Sequence, residues 1–258
     1  MIDGIRGLDH AVILVHDLDR AQATYERLGF TATPRGFHSL GSRNHCVMFG
    51  RDYLELMALP QPVPAFQYFT DFLRQGEGVG ALALASGNAA LAHAALVRAG
   101  IPAEPPLALA RPVKDLGEAR FTLVQLDPSI TPGFRSFVCQ HHTRDIVWRP
   151  EYQQHPNGAH ALLEAVCIGR PEAYRPLFDG LPLRVCSAEE ANNRFPSLLA
   201  PREGPSVVAL RIAVREIGAT ARELALRRIP HARLPDGDIG VAARDAHGVA
   251  LVFGASGP

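Results

Sequence analysis

Glu55 is the residue of this sequence whose type is hardest to reconcile with its surroundings. It stands in the middle of the apolar run YLELMAL, residues 53–59, which reads as a buried strand. Strand alternation places Glu55 on one face together with Tyr53 and Met57. A carboxylate is rarely buried unless a partner compensates its charge. Glu55 is therefore predicted either to hold a ligand inside the protein or to pair with a cation such as Arg51 on an outer face.

His10 interrupts a second apolar run, LDHAVILV, near the start of the chain. A single histidine in such a run is more often a hydrogen-bonded core residue than a ligand. A chemical role for His10 therefore depends on whether the fold brings it to face Glu55.

Four segments of the chain share one pattern, a strand followed by an amphipathic helix. They are residues 8–30, 79–101, 159–181 and 206–229. The first two end in glycines that suit a helix stop, Gly29 and Gly100, and Asn88 is a plausible helix N-cap. The third copy is weaker and the fourth lacks the closing glycine. Short strand-like runs follow each helix, so the repeated unit is strand–helix–strand–strand–strand.

Such a unit cannot bury both faces of its sheet by itself, so two units are expected to pair around a cleft. The predicted fold is α+β, with tandem βαβββ modules paired into curled mixed sheets and with helices on the outside. The proline and glycine of EYQQHPNG, residues 151–158, suit a linker between the two pairs. The predicted domains are therefore residues 1–150 and 151–258.

Composition excludes several function classes. The formal net charge is +0 and no run of like charges occurs, which argues against nucleic-acid and membrane-surface partners. The chain has four cysteines without a C-x-x-C pair, which indicates free thiols and a cytoplasmic protein. Lys114, the single lysine, lies in a polar loop and is expected to be solvated. The sequence contains no phosphate loop, nucleophile elbow, H-E-x-x-H motif or dinucleotide fingerprint.

Three stretches resemble the glyoxalase-like domain family of the vicinal oxygen chelate superfamily. They are GLDHAVILVHDLDRA, FHSLGSRNHCVMFGRDYLEL and FVCQHHTRDIVWRPEYQQHPNGAH, which cover most of residues 7–168. This superfamily includes glyoxalase I, extradiol dioxygenases and bleomycin-resistance proteins. The resemblance implies a cup that holds a divalent metal ion, with ligands on the first and last strands of each module.

Carried onto this chain, the resemblance implies His10 and Glu55 as the metal ligands of the first module. In the second module Ala81 occupies the position of His10, and the position of Glu55 falls near Gln140 and His141. A slip of one residue reverses the face of a strand residue. If His141 points inward, the ligand set is His10, Glu55 and His141; otherwise two ligands are too few for tight binding.

Other residues in the matching stretches are expected to contact substrate. His38 and Asn44 belong to the loop FHSLGSRN, where they either reach the substrate or support a turn at Gly41. Trp148 and Arg149 are expected at the mouth of the cup, although Trp148 could instead cover the junction between the module pairs. Gln140 completes the expected substrate contacts. The C-terminal pair has no ligands, because Ala161, Ala209 and Val252 occupy the matching positions.

The resemblance implies a divalent-metal-dependent lyase or isomerase that acts on a small oxygen-rich substrate. Zn, Ni, Mn or Fe would suit the ligands, with Glu55 as ligand or base and His38 as proton shuttle. A ring-cleaving dioxygenase is a second option, since two histidines and one carboxylate also suit Fe(II). A bleomycin-resistance type of binding protein, without chemistry or metal, is the third. A homodimer is an option that the sequence leaves open.

Overall fold

The computed structural model describes residues 2–61, 63–113 and 115–255 of the chain. Lys114 lies outside the described residues. Within these residues the fold is mixed α+β, with fourteen strands and seven α-helices. The predicted fold class is confirmed, including the pairing of modules around a cleft.

The first module contains the complete predicted unit. Its elements are β1 (Ile5–Leu14), α1 (Leu18–Arg27), β2 (Gly36–Phe37), β3 (Arg43–Met48) and β4 (Tyr53–Ala58). Asp17 caps α1, since its side chain accepts a hydrogen bond from the Arg20 N–H. Gly29 follows the helix with φ of 85°, the left-handed conformation that glycine adopts at low cost.

The second module repeats the unit after an insertion that holds a short helix, α2 (Gln67–Arg74). Its elements are β5 (Gly78–Ser86), α3 (Ala89–Arg98), β6 (Leu107–Val113), β7 (Gly117–Gln125) and β8 (Arg135–His141). The side chain of Asn88 accepts from Leu91 N–H at 3.0 Å, which confirms the predicted cap of α3. The next two helices along the chain are α4 (Arg144–Val147), which follows the second module, and α5 (Pro171–Phe178), which belongs to the third module.

Pairing between first strands joins the two modules into one curled sheet. β1 runs parallel to β4 and antiparallel to β5, and β5 runs parallel to β8. The strand order is therefore β2-β3-β4-β1-β5-β8-β7-β6. One face of this sheet carries α1 and α3, and the other face forms the inside of the cup.

The C-terminal half has the same plan with a shortened third module. That module has β9 (Ala159–Ile168), α5, β10 (Leu183–Cys186) and α6 (Ala188–Arg194). The fourth has β11 (Ser206–Val214), α7 (Ile217–Leu226), β12 (Ala232–Arg233), β13 (Ile239–Val241) and β14 (Ala250–Ala255). Arg228 takes the place of a closing glycine after α7, with φ of 56°.

Side chains fill the cup of the C-terminal half. Phe195 and Leu198, at and after the end of α6, pack against Ala209 of β11 and Val252 of β14. The two halves meet where Val207 of β11 pairs with Val79 of β5. The division into domains at residue 150 stays a prediction. No helix in the described part of the chain has the length and apolarity to cross a membrane.

Candidate functional site

A β-bulge in β1 turns two consecutive polar side chains toward the cup. Leu8 pairs with Leu84 and His10 with Ala83, so Asp9 is an extra residue in β1. An extra residue breaks strict alternation and re-aims the side chains beside it. Asp9 Oδ1 consequently lies 2.6 Å from His10 Nδ1, and both side chains are only 4% exposed.

Glu55 points into the cup, which decides between the two orientations that strand alternation allows. Its neighbours Leu54 and Leu56 pack in the main core, whereas Glu55 lines a cavity. Its Oε1 accepts a 2.6 Å hydrogen bond from Asn44 Nδ2 on β3. Its Oε2 lies 3.5 Å from His10 Nε2. The structure therefore brings His10 and Glu55 together from opposite ends of the first module.

His38 lies beside this pair on the loop between β2 and β3. Its Nε2 is 3.9 Å from Glu55 Oε1, and its Nδ1 is 2.8 Å from Ser42 Oγ. Burial lowers the pKa of His38, and the neighbouring Glu55 carboxylate partly offsets that effect. The ring remains 30% exposed at its side chain, so it can exchange protons with solvent or with a bound molecule.

A cavity of about 550 Å³ opens in front of His10, His38, Asn44 and Glu55. Its walls are mainly apolar and aromatic, with Phe121, Leu123 and Phe137 from the second module. The insertion between β4 and β5 covers one side through Phe66, Tyr68 and Phe69. A cavity of this size and character is typical of small-molecule sites.

His141 lies behind the cavity wall and contacts Asp9. It shares its strand face with Phe137 and Cys139, so its register is inward, but it does not border the cavity. Its Nε2 lies 3.0 Å from Asp9 Oδ1 and 3.5 Å from Cys139 Sγ. Its Nδ1 is buried and has no hydrogen-bond partner. Asp9 therefore bridges the two imidazoles that the sequence assigned to one ligand set.

The remaining predicted substrate contacts lie away from the cavity. Gln140 faces the helix side, where its Oε1 accepts from Ala89 N–H at 2.8 Å at the start of α3. Trp148 is buried, with its ring centroid 4.7 Å from that of His141. Arg149 Nε donates to Glu151 Oε1 at 2.5 Å. A role of these residues in substrate binding stays a prediction.

A second cavity, of about 600 Å³, lies where the two halves meet and includes none of the predicted site residues. Its carboxylate Glu77 is already engaged, since it accepts from His16 N–H and lies 2.8 Å from His247 Nδ1. The contact between Glu77 and His247 joins the two halves across this cavity.

Comparison with known proteins agrees with this fold. Residues 8–181, about two-thirds of the chain, match the family model described as glyoxalase-like domain. The chain belongs to the glyoxalase-like domain family. No curated protein sequence gives a significant match.

Two solved structures share the fold of this glyoxalase-like protein across nearly its whole length. A hypothetical protein from Staphylococcus aureus has a TM-score of 0.67 at 10% identity, covering 97% of this chain and 99% of that chain. A substituted variant of 4-hydroxymandelate synthase from Streptomyces coelicolor has a TM-score of 0.64 at 14% identity, covering 99% and 95%. At these identities the likeness concerns the fold alone.

Among the described residues of the cup, two sets of side chains have atoms of the kinds that ligate metals. One is the pair His10 Nε2 and Glu55 Oε2, which faces the cavity. The other is the buried cluster of Asp9, Cys139 and His141, whose ligand atoms lie within 4.8 Å of one another. Burial and the charges of Asp9 and Glu55 raise the pKa of Cys139 well above its usual value. Both members of the His10–Glu55 pair border the cavity, whereas Asp9 and His141 of the cluster do not.

The hydrogen-bond pattern around His10 fits a bound cation. Nδ1 carries the proton shared with Asp9, as in many carboxylate–histidine–metal arrangements, so Nε2 presents a lone pair toward Glu55. In neutral His10 this lone pair would face a carboxylate oxygen at 3.5 Å with nothing positive between them. A proton or a divalent cation resolves this repulsion.

Asp9 is the site residue that sequence reasoning missed. Burial by itself would raise the pKa of Asp9, but hydrogen bonds from His10 and His141 outweigh burial and lower it to about 2. Strict alternation would place the Asp9 side chain on the face opposite to His10, so the sequence pattern did not indicate Asp9 as a site residue. The one available signal was the adjacent Asp–His pair within an otherwise apolar strand.

Proposed function

We propose that this glyoxalase-like protein is a divalent-metal-assisted enzyme, a lyase or isomerase that moves a proton on a small oxygen-rich substrate. The observation that carries the proposal is the close approach of His10 Nε2 to Glu55 Oε2 inside a cavity. Asp9 orients the imidazole and Asn44 orients the carboxylate, so both groups are held before any ligand enters.

His10 and Glu55 would hold the metal ion, with the other coordination positions open to water or substrate. When bound, a divalent ion supplies Lewis-acid stabilisation of negative charge that develops on a substrate oxygen. The identity of the metal is open among Zn, Ni, Mn and Fe, because one imidazole and one carboxylate suit each of them.

His38 is proposed to move the proton. Its lowered pKa keeps the ring neutral near pH 7, so the ring can accept a proton from a bound substrate. Its bond with Ser42 fixes the orientation of the ring, and its Nε2 faces Glu55 Oε1. Aromatic side chains from the insertion, including Phe66 and Phe69, would exclude bulk water from the reacting atoms.

A non-catalytic binding protein is the second candidate function. It is favoured by the position of His141, which leaves two cavity-facing metal ligands rather than three. In that case the cavity would sequester a small molecule, and His10 and Glu55 would share a proton instead of a metal ion.

Elemental analysis of untagged protein separates the two functions. Near-stoichiometric divalent metal is expected in the wild type, and its loss in both His10→Ala and Glu55→Gln. His93→Ala on α3 and Glu104→Gln, which is exposed, serve as matched controls and should retain the metal. Metal-free protein that takes up no divalent ion would reject the enzyme proposal and favour sequestration.

Proton transfer is tested with the metal-loaded protein in D2O. Small α-hydroxycarbonyl compounds are incubated with the protein, and deuterium incorporation beside the carbonyl is followed by NMR. The account expects catalysed exchange that falls at least about 100-fold in His38→Gln with metal content unchanged. Exchange that is equally fast in His38→Gln would remove His38 from the mechanism.

A further inference from the structure

Two arginines in the cavity have no carboxylate partner among the described residues. Arg111 on β6 and Arg135 on β8 both line the cavity that contains His10 and Glu55. Ion pairs form at eight other arginines in the described part of the chain, and neither of these two takes part. Among the described residues that line the cavity, Glu55 is the one carboxylate, and it is already engaged by Asn44 and His10.

The surroundings of Arg111 hold its guanidinium at the chemical end of the cavity. A Cβ atom added to Gly36 would lie 2.2 Å from Asn44 Oδ1 and 3.2 Å from Arg111 Nη1. The missing side chain of Gly36 therefore leaves room for both groups against β2. Asn44 in turn donates to Glu55, so Arg111 lies one residue away from the proposed metal ligand.

Arg135 occupies the other side of the cup in a different environment. Arg135 pairs with Ala81 on β5, Ala81 pairs with Val12 on β1, and Val12 pairs with Glu55 on β4. Arg135 therefore lies in the same row of the sheet as Glu55, three strands away. Its guanidinium carbon lies 5.5 Å from the centroid of the Tyr68 ring. An aromatic face partly satisfies a cation, whereas Arg111 has no such ring contact among the described residues.

The rest of the cavity favours an apolar body. Phe66, Phe69, Phe121, Phe137 and Leu109 form its walls. A guanidinium without an acceptor at the edge of an apolar cavity binds a carboxylate strongly, because it supplies two parallel N–H donors. With the histidines neutral, Glu55, Arg111 and Arg135 give this lining a net positive charge, although the whole chain is neutral.

We propose that the cavity binds a small carboxylic acid with an aromatic or branched apolar body, and that Arg111 holds its carboxylate. This inference rests on the proposed function in one respect, that the reactive part of the molecule lies toward His10 and Glu55. Arg111 is therefore a specificity-determining residue, which selects anionic over neutral molecules of the same shape.

The test compares an acid with its neutral amide. Binding of 3-phenylpropionate and of 3-phenylpropionamide is measured by calorimetry on chelator-treated protein, so that the acid cannot bind through a metal ion. The wild type is expected to bind the acid at least about tenfold more tightly than the amide. In Arg111→Gln the two affinities should agree within about twofold, and Arg111→Lys should retain an intermediate preference.

Arg135→Gln is the matched control, since it removes the same charge from the same cavity. It should keep most of the preference for the acid. Equal binding of acid and amide by the wild type, no binding of either probe, or an unchanged preference in Arg111→Gln would each overturn the inference. Near-UV circular dichroism checks the fold, and Arg111→Met is a second neutral variant.

The outcome is independent of the metal measurement. Metal retention without acid preference leaves the proposed function standing and rejects the role of Arg111. Acid preference without metal binding supports Arg111 and rejects the enzyme.

Discussion

Replacing Asp9 with asparagine tests how the candidate site is held in place. Asp9 Oδ1 accepts from both His10 and His141, at 2.6 and 3.0 Å, and is buried between them. Asparagine keeps the size of the side chain and one acceptor oxygen, but it removes the negative charge. Asp9→Asn should therefore weaken both contacts without opening a cavity.

The expected loss of stability follows from the pKa of Asp9. That pKa is lowered from 3.8 to about 2, which corresponds to about 2 kcal/mol at 1.36 kcal/mol per pKa unit. Because the folded-state pKa is depressed, this stabilisation is fully present above about pH 4 and is lost as the pH falls toward about 2. The Asp9→Asn variant should thus be about 2 kcal/mol less stable at pH 7, with a difference that shrinks below about pH 4.

Chemical denaturation of metal-free protein measures this difference. Asp71→Asn is the control, because Asp71 is half exposed and pairs with Arg74 on α2, and it should change stability by less than about 1 kcal/mol. Metal affinity gives a second readout, expected to fall about 10- to 100-fold in Asp9→Asn. Equal unfolding free energies at pH 7, or an unchanged metal affinity, would refute the positioning role of Asp9.

Three further predictions concern other parts of the molecule. Burial raises the pKa of Asp52 to about 7, although its carboxylate accepts a hydrogen bond from Leu162 N–H. The folded protein should therefore lose stability as the pH rises from about 4 to about 7. Asp52→Asn should gain about 4 kcal/mol over the wild type between about pH 4 and pH 8 in urea denaturation, at 1.36 kcal/mol per pKa unit, and a pH-independent difference would contradict this. In NMR titration of metal-free protein, His38 should show a pKa below 6.5. Glu55→Gln should lower the pKa of His38 further, because the Glu55 carboxylate raises it, and an increase of this pKa in the variant would contradict the prediction. Phe195→Ala should cost about 3–5 kcal/mol, since Phe195 is fully buried in the C-terminal cup, while metal content stays unchanged; loss of metal there would mean that the two cups are coupled.

The repeat made most of the fold predictable. Strand-to-helix switches and closing glycines depend on local sequence, and Gly29, Gly100 and Asn88 take the predicted positions. The insertion with α2 was not predicted, because it lies outside the repeated unit and its helix has only eight residues. The closing residue after α7 was also hidden, since Arg228 adopts a conformation that usually requires glycine.

The candidate site was predictable only where it follows simple alternation. Glu55 follows it, and its orientation then depends on which face of the sheet the helices cover. Asp9 breaks it through the bulge in β1, which is set by the pairing with β5 and has no local signature. His141 has the inward register of the two that the sequence left open, yet its Nε2 contacts Asp9 at 3.0 Å and the residue does not border the cavity. Long-range pairing of this kind is not encoded in a single stretch of sequence.

Anomalous diffraction from a crystal of the protein loaded with Mn²⁺ or Co²⁺ tests the central claim most directly. The account predicts one strong peak bonded to His10 Nε2 and the Glu55 carboxylate, at the base of the cavity, that disappears in Glu55→Gln. A peak among Asp9, Cys139 and His141 instead, or no peak at saturating metal, would contradict it.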